Sequence, residues 1–166
     1  MPTSNIVKNM RDGKIVLSDF GGANNLEITV EPGDFKLDVP QEQVQNYLDR
    51  GRMGSPPHLR FGEEQPMTGS FSVHMRGLSS ASTAMVEQLI HGTGYLLDNW
   101  VSTMGAAAEV FTLDITYSIE GTDHGDSADH SIVLPFCVVR GSFEEGDPNK
   151  ASFSFTSYAV RPSSVT

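Results

Sequence analysis

The segment GTDHGDSADHS, residues 121–131, crowds side chains that are able to bind a metal ion. These side chains are Asp123, His124, Asp126, Asp129 and His130. A calcium loop places oxygen ligands at alternating positions and ends in a bidentate glutamate, whereas zinc sites hold histidine or cysteine at fixed separations. Neither spacing is present, so we predict a solvated loop between two strands and no metal site.

Catalytic side-chain arrangements are also missing from the sequence. No G-x-S-x-G segment surrounds a nucleophilic serine. The adjacent pairs Glu63–Glu64 and Glu144–Glu145 would point to opposite sides of an extended chain, which separates their carboxylates. The segment HGTG follows a predicted helix, whereas a phosphate-binding loop precedes one. We therefore predict that the protein is not an enzyme and holds no cofactor.

Length and composition favour one domain over residues 1–166, with a core that needs no disulfides. The chain has 21 acidic and 11 basic residues, a formal charge of −10, which argues against a surface that grips phosphates. The single cysteine, Cys137, lies in an apolar run and is predicted to be a buried thiol of a protein that folds in a reducing compartment. We find no signal peptide and no apolar run long enough for a membrane span, so we expect a soluble chain without membrane insertion.

Residues 109–121, EVFTLDITYSIEG, alternate between apolar and polar side chains, which predicts a strand with one buried face and one polar face. A short first strand is predicted around Ile15 and Leu17, and another in TGSFSVHMRG. In NNLEITVEPGDFKLDV, two alternating runs flank a Pro-Gly-Asp turn, which predicts a hairpin.

Two later strands are irregular, and one segment is helical. SIVLPFCVV is apolar on both faces, and its Pro135 predicts an edge position or a bulge. ASFSFTSYAV changes phase, which predicts a bulge near Ser157. Residues 80–94 place apolar side chains on one helical stripe. The predicted fold is therefore mainly β, a sandwich or barrel of antiparallel strands with one flanking α-helix.

The polar second faces of these strands carry many Ser, Thr, Asp and Glu side chains but few lysines, although lysine commonly protects exposed sheet edges. A plain β-sandwich would expose such faces to solvent. Alternatively, copies of the chain pair edge to edge and close into a large barrel whose lumen the polar faces line. A long arm at about residues 40–66 concentrates Arg50, Arg52 and Arg60 and could reach a neighbouring copy.

The order of these parts resembles the tail tube proteins of tailed bacteriophages, which are related in fold to the tube protein of type VI secretion. The resemblance runs from the first strand and LEITVEPGDFKLDV, through the arm VQNYLDRGRMGSPPHLRFG and PMTGSFSVHM, to the helix and FTLDITYSI. Its most family-like piece is the ending GDPNKASFSFTSYAV. It covers nearly the whole chain, although no single motif is diagnostic.

This resemblance implies hexameric rings that stack into a hollow tube with a largely acidic lumen, through which DNA passes as a non-specific cargo. The implied partners are further copies of the chain and other tail proteins: a sheath if the tail is contractile, a tape measure, a baseplate and a terminator. The implied location is the virion, after synthesis in the cytoplasm of the bacterial host. The candidate lumen-lining residues are Glu27, Thr29, Glu31, Asp38, Thr112, Asp114, Thr116, Ser118 and Glu120. The candidate arm residues between rings are Arg50, Arg52 and Arg60.

The strand around Phe71 adds Ser70, Ser72 and His74 to the possible lining, whereas Lys36, His74 and Arg76 depart from a purely acidic one. Two other functions stay open at this point. One is a secretion tube of the type VI kind, or a baseplate or terminator protein of the same fold. The other is a monomeric β-sandwich that binds a carbohydrate or a protein. The sequence leaves open which strands face a lumen.

Overall fold

The computed structural model describes residues 13–18, 25–28, 34–40, 44–47, 58–74, 101–102, 111–122, 125, 127–147, 149–159 and 162–165. The strands are β1 (Gly13–Ser18), β2 (Asn25–Ile28), β3 (Lys36–Asp38), β4 (Val44–Tyr47), β5 (His58–Phe61), β6 (Met67–His74), β7 (Val101–Ser102), β8 (Phe111–Ile119), β9 (His130–Glu144), β10 (Lys150–Ser157) and β11 (Ser163–Val165). All of their pairings are antiparallel, which confirms the mainly β prediction.

The main sheet has nine strands and follows the order β2-β1-β8-β9-β10-β6-β3, with β11 beside β9 and β7 beside β8. Strands β4 and β5 form a separate two-stranded sheet. Within the described ranges the pairing does not close into a barrel, and no α-helix is present. The predicted flanking helix at residues 80–94 lies outside these ranges. In the same part of the chain, we find no helix with the length and apolarity needed to cross a membrane.

The predicted hairpin between β2 and β3 is wrong, because these strands lie at opposite ends of the sheet. Strand β2 pairs with β1, and β3 pairs with β6. The Phe35 ring, directly before β3, stacks on the Tyr117 ring of β8 with centroids 4.5 Å apart, and lies 6.1 Å from the Phe155 ring. Burying Phe35 against β8 and β10 therefore carries β3 across the core, away from β2.

The core lies between the two halves of this folded sheet, where the apolar faces of the strands meet. It includes Ile15, Leu17, Ile28, Met67, Phe71, Val73, Leu113, Ile115, Leu134, Cys137, Ala151, Phe153 and Phe155. The Phe71 and Phe153 rings, which lie on paired strands, have centroids 5.3 Å apart. Residues from the alternating runs supply most of this core, as the period-two pattern predicts.

A bulge at Pro135–Phe136 divides β9 into two parts. Leu113 of β8 pairs with Cys137, but Ile115 pairs with Leu134, so β9 has an extra residue here. The extra residue explains how both Leu134 and Cys137 can face the core. It also confirms the bulge alternative predicted at Pro135. Phe136 adopts a φ of 54°, a left-handed conformation that is rare for a bulky side chain.

The second predicted bulge, near Ser157, is wrong. Strand β10 pairs with β9 without interruption from Lys150 to Ser157 and ends there. Tyr158 follows the strand, is 65% exposed, and its backbone N–H donates to the Phe136 carbonyl at 3.2 Å. The phase change in the sequence therefore marks the end of the strand.

Candidate functional site

The outer face of one half of the sheet is rich in hydroxyl groups. It is built by β3, β6, β10 and the second part of β9, and we call it the serine face. Its members are Lys36, Asp38, Thr68, Ser70, Ser72, His74, Val138, Arg140, Ser142, Glu144, Lys150, Ser152, Ser154 and Thr156. Antiparallel partners point to the same side of a sheet, so the register aligns these side chains in rows across the strands.

The central rows of the serine face hold mostly serine. One row runs from Ser142 through Ser152 to Ser72, and the next from Arg140 through Ser154 and Ser70 to Lys36. The intervening residues of β10, among them Phe153 and Phe155, point into the core. The repeat SFSF in the sequence therefore produces a hydroxyl surface on one side and an aromatic layer on the other.

Asp34 covers one end of the serine face from the segment before β3. Its carboxylate accepts a hydrogen bond from the Ser72 hydroxyl, and its Oδ2 lies 2.9 Å from the Lys150 Nζ. The hydrogen bonds from Ser72 and then from Lys150 hold the pKa of Asp34 below its usual value. This contact fixes the start of β3 to β6 and β10.

Acidic and basic side chains are balanced on this surface. Its acidic members are Asp38 and Glu144, to which the covering Asp34 adds a third carboxylate. Its basic members are Lys36, Arg140 and Lys150. The serine face is thus hydroxyl-rich and close to neutral, although the whole chain carries a formal charge of −10.

Among the described residues, neither margin of the serine face has a neighbouring strand. Strand β8 pairs with β9 only as far as Cys137, so among the described residues nothing pairs with Val138–Glu144 on the side away from β10. At the other margin, β6 is the one described strand that pairs with β3. Each edge also has a large apolar side chain about half exposed, Phe143 at 49% on β9 and Val39 at 47% beside β3. Unpaired edges of this kind are templates for pairing with another chain.

The candidate lumen residues of β8 lie on a different surface and are partly covered. Thr112 is only 5% exposed, and Thr116 and Ser118 are half-buried. Asp114 Oδ1 accepts a hydrogen bond from the Phe136 backbone N–H at 3.2 Å, which places this carboxylate at the bulge. Glu120 lies 3.8 Å from the Lys14 Nζ.

The remaining lumen candidates are divided between two edges and the undescribed residues. Glu27 is exposed on β2 and Asp38 is exposed on β3, at opposite ends of the sheet. Thr29 and Glu31 lie outside the described residues. The structure therefore does not gather the sequence candidates on one surface. Of the described acidic and threonine candidates, Asp38 alone belongs to the serine face, together with Ser70, Ser72 and His74 from the possible lining.

The arm contains the hairpin of β4 and β5, in which Val44 pairs with Phe61. Val44, Leu59 and Phe61 share one face and are 57%, 62% and 68% exposed. Arg60 is exposed on the opposite face, whereas Arg50 and Arg52 lie outside the described residues. An isolated two-stranded hairpin is at best marginally stable in water, so an exposed apolar face on it favours a partner. This face was not predicted from the sequence, although the alternation in HLRF signals it.

The described residues between β8 and β9 form a mostly exposed loop that Asp129 organises. Its Oδ1 accepts hydrogen bonds from the backbone N–H groups of Gly121 and Thr122 at 2.8 and 2.9 Å, and from the Thr122 hydroxyl at 2.9 Å. The backbone hydrogen bonds, that of Thr122 first, lower the pKa of Asp129. Asp123, His124 and Asp126 lie outside the described ranges, and within those ranges no three potential ligands are grouped for a metal ion.

Cys137 is fully buried, as predicted, beside the bulge of β9. Its thiol donates to the Leu134 carbonyl at 3.2 Å. Burial raises the pKa of the Cys137 thiol to about 12. The cysteine is therefore a small apolar component of the core.

The fold is shared with chains of contractile injection systems. No protein-family model matches the chain. No curated protein matches it in sequence. A chain in the cryo-EM structure of the anti-feeding prophage (AFP) baseplate, 6-fold symmetrised, has a TM-score of 0.56 and 7% identity, and the alignment covers 99% of this chain and 97% of that one.

Two chains from an extracellular contractile injection system, PVC, are also similar. One is from its sheath/tube terminator in the extended state, with a TM-score of 0.52, 14% identity and coverage of 100% and 98%. The other is from its sheath-tube complex in the extended state, with a TM-score of 0.53, 12% identity and coverage of 99% and 100%. At these identities the comparisons show a common fold over the whole length of the chains.

Proposed function

We propose that the chain is a non-enzymatic structural subunit of a tail-like particle, in which hexameric rings stack into a hollow tube. The observation that carries this proposal is a polar sheet face that has no neighbouring strand at either margin among the described residues, in a fold shared over its whole length with injection-system chains. A chain with one free edge at each margin can add copies head to tail, and a ring is the closed form of such addition.

The number of copies in the ring rests on the sequence resemblance and on one comparison. The AFP baseplate to which one similar chain belongs was symmetrised six-fold. Rings closed by strand pairing leave no free edge within the ring, which removes the aggregation hazard of open strands. This closure supports a ring over an open chain of subunits.

The serine face is the surface that we assign to the lumen. Its hydroxyl groups, all but the buried Ser72 at least partly exposed, lie on the half of the sheet whose two margins have no described neighbouring strand, so pairing at those margins would continue this face around the ring. The candidates Glu27, Asp114, Thr116, Ser118 and Glu120 then contribute to other surfaces, and Asp38 to the lumen. DNA remains the proposed passing cargo, because the balanced charges on this face provide no basic patch to bind phosphates.

The arm connects neighbouring copies in this proposal. The exposed apolar face of the β4–β5 hairpin would be buried against another subunit, and the arginines of the arm would meet its acidic surface. Each exposed ion pair contributes under about 1 kcal/mol, but repetition in a ring multiplies the sum. Changing Arg50 and Arg52 to Glu should give a folded chain that no longer forms tubes, and unimpaired tubes would contradict this role.

A second candidate function is a terminator or baseplate component, which ends a tube instead of repeating along it. Two comparisons support it, because one similar chain comes from the structure of a sheath/tube terminator and another from that of a baseplate, whereas the chain from the sheath-tube complex supports the tube. Both candidates use the same ring. They differ in whether one ring binds a second ring of the same chain.

Negative-stain microscopy of the purified chain tests both functions, with mass measurement by light scattering over a range of protein and salt concentrations. Long tubes support the tube subunit, and stable single rings support the terminator or baseplate component. A chain that stays monomeric under all conditions would refute the proposed function and favour a monomeric binding module.

A further inference from the structure

We infer that the ring closes through one specific pair of edges: Val138–Glu144 of one copy pairs antiparallel with β3 of the next, and Glu144 faces Lys36. This inference rests on the proposed function and adds the partner surface and its register. The partner at each edge is a second copy of this chain.

The direction of the strands supports this pairing. Strands β9, β10, β6 and β3 alternate in direction across the serine face. A β3 strand from the next copy, placed beside β9, continues this alternation and forms an antiparallel pair. Backbone N–H and C=O groups that have no sheet partner among the described residues at either edge would then gain one, and the hydroxyl surface would continue without a break.

The apolar side of the sheet limits the register to alternate positions. Phe143 points to the side of the core, as its pairing with the buried Ala151 shows. Leu37 of β3 also points to that side, opposite Gly69. A register with Phe143 opposite Leu37 keeps apolar side chains together, whereas a one-residue slip would place Phe143 among the polar side chains.

Charges then select one of the remaining registers. With Glu144 opposite Lys36, Ser142 faces Asp38, and the two diagonal neighbours of Asp38 are Arg140 and Glu144. A two-residue slip in one direction sets Glu144 against Asp34, and a slip in the other direction sets it against Asp38. Like charges directly opposite destabilise a strand pair, and of these three registers only the first has no like charges directly opposite.

The apolar residues exposed at the two margins fit the same register. Phe143 is 49% exposed and Val39 is 47% exposed in the single chain. With Phe143 opposite Leu37, Val39 becomes its diagonal neighbour across the junction, within reach of an aromatic side chain. Both side chains would lose water contact when the copies pair, which gives the junction a hydrophobic side and a charged side.

A charge exchange tests the inference in the full chain. Glu144→Lys and Lys36→Glu should each abolish rings, and the double variant should restore them. Asp147→Lys is the matched control, because it makes the same charge change at an exposed position after β9 and should leave rings intact. Circular dichroism and the thermal midpoint establish that each single variant is folded.

Disulfide formation reports the register directly. Ser142→Cys combined with Asp38→Cys should give oxidised multimers up to the closed ring, because residues directly opposite in the proposed register have Cβ atoms about 4.5–5.5 Å apart. Ser142→Cys combined with Lys36→Cys should give far fewer. The reverse preference would overturn the register, and disulfide-linked dimers from Ser142→Cys alone would indicate an edge-to-itself pairing.

The outcomes separate the inference from the function on which it rests. If the wild type forms rings and the single charge variants also form them, the edge assignment is refuted and the ring function stands. If the wild type forms no rings and the cysteine pairs form no multimers, the proposed function fails and the inference fails with it.

Discussion

Replacing Asp114 by alanine distinguishes two roles for a side chain that the sequence places among lumen candidates. As a lumen carboxylate, Asp114 could be removed with little effect on folding. In the structure its Oδ1 accepts a hydrogen bond at 3.2 Å from the Phe136 N–H, and Phe136 has a φ of 54°. We therefore expect Asp114→Ala to lower the free energy of unfolding.

The expected loss follows from the bulge geometry. A hydrogen bond to a charged group contributes about 1.5–3 kcal/mol, and partial exposure of this site reduces that to about 1–2 kcal/mol. The left-handed conformation of Phe136 itself costs roughly 1–2 kcal/mol, so the bulge depends on contacts of this kind. For a chain of 166 residues, 1 kcal/mol corresponds to a shift of roughly 2–4 °C in the melting temperature. Asp114→Ala should thus melt about 2–8 °C lower.

Urea unfolding followed by circular dichroism is the assay, at a concentration where light scattering shows monomers, because assembly would add stability of its own. Asp114→Asn is the matched control: it keeps a carbonyl acceptor and should lose less. Adding Phe136→Gly to Asp114→Ala should recover part of the loss, because glycine tolerates positive φ. If Asp114→Ala changes stability by less than about 0.5 kcal/mol, as an ordinary surface substitution does, the bulge role is refuted.

Three further predictions concern a close contact and two pKa shifts. Gly69→Ala should destabilise the chain by about 1–3 kcal/mol in urea, because its Cβ would clash with the Phe155 ring and with the backbone carbonyl of Lys36, whereas Gly141→Ala, at an exposed position, should not. The free energy of unfolding should fall as the pH rises from 9.0 to about 12, because the Cys137 thiol stays protonated in the folded chain and ionises in the unfolded one. Cys137→Ala should remove this pH dependence. The Asp129 carboxylate should stabilise the fold at pH values above its pKa in the unfolded chain, and this effect should be lost as the pH falls through its lower pKa in the folded chain. NMR titration should show the lowered pKa, and Asp129→Asn should abolish the pH dependence.

Local patterns were sufficient to predict most of the strands. The alternation in β8 and β6 is a property of consecutive residues, and Pro135 marks the bulge in β9 because proline cannot donate to a sheet. The partner of β3 could not be predicted in this way. Its position depends on the stacking of Phe35 on Tyr117, a contact between residues far apart in the sequence.

The candidate surface was predicted only in part, for the same reason. Ser70 and Ser72 were recognised on the polar face of their strand, but their row continues into Ser152 and Ser154 only through the register of β10. Asp114 lies on the polar face of its alternating strand, as a lumen residue would, yet its carboxylate accepts a hydrogen bond from the Phe136 N–H at the bulge. Alternation predicts on which face of its own strand a side chain lies, whereas strand pairing and packing determine what that face contacts.

The many hydroxyl groups of the serine face have a consequence for transport. A serine hydroxyl both donates and accepts hydrogen bonds, so a wall of these side chains holds a continuous film of water without preferring either sign of charge. In the proposed tube, a moving polymer would slide on that film and meet few sites where it could stall. Any choice among cargoes would then be made at the mouths of the channel and not along its length.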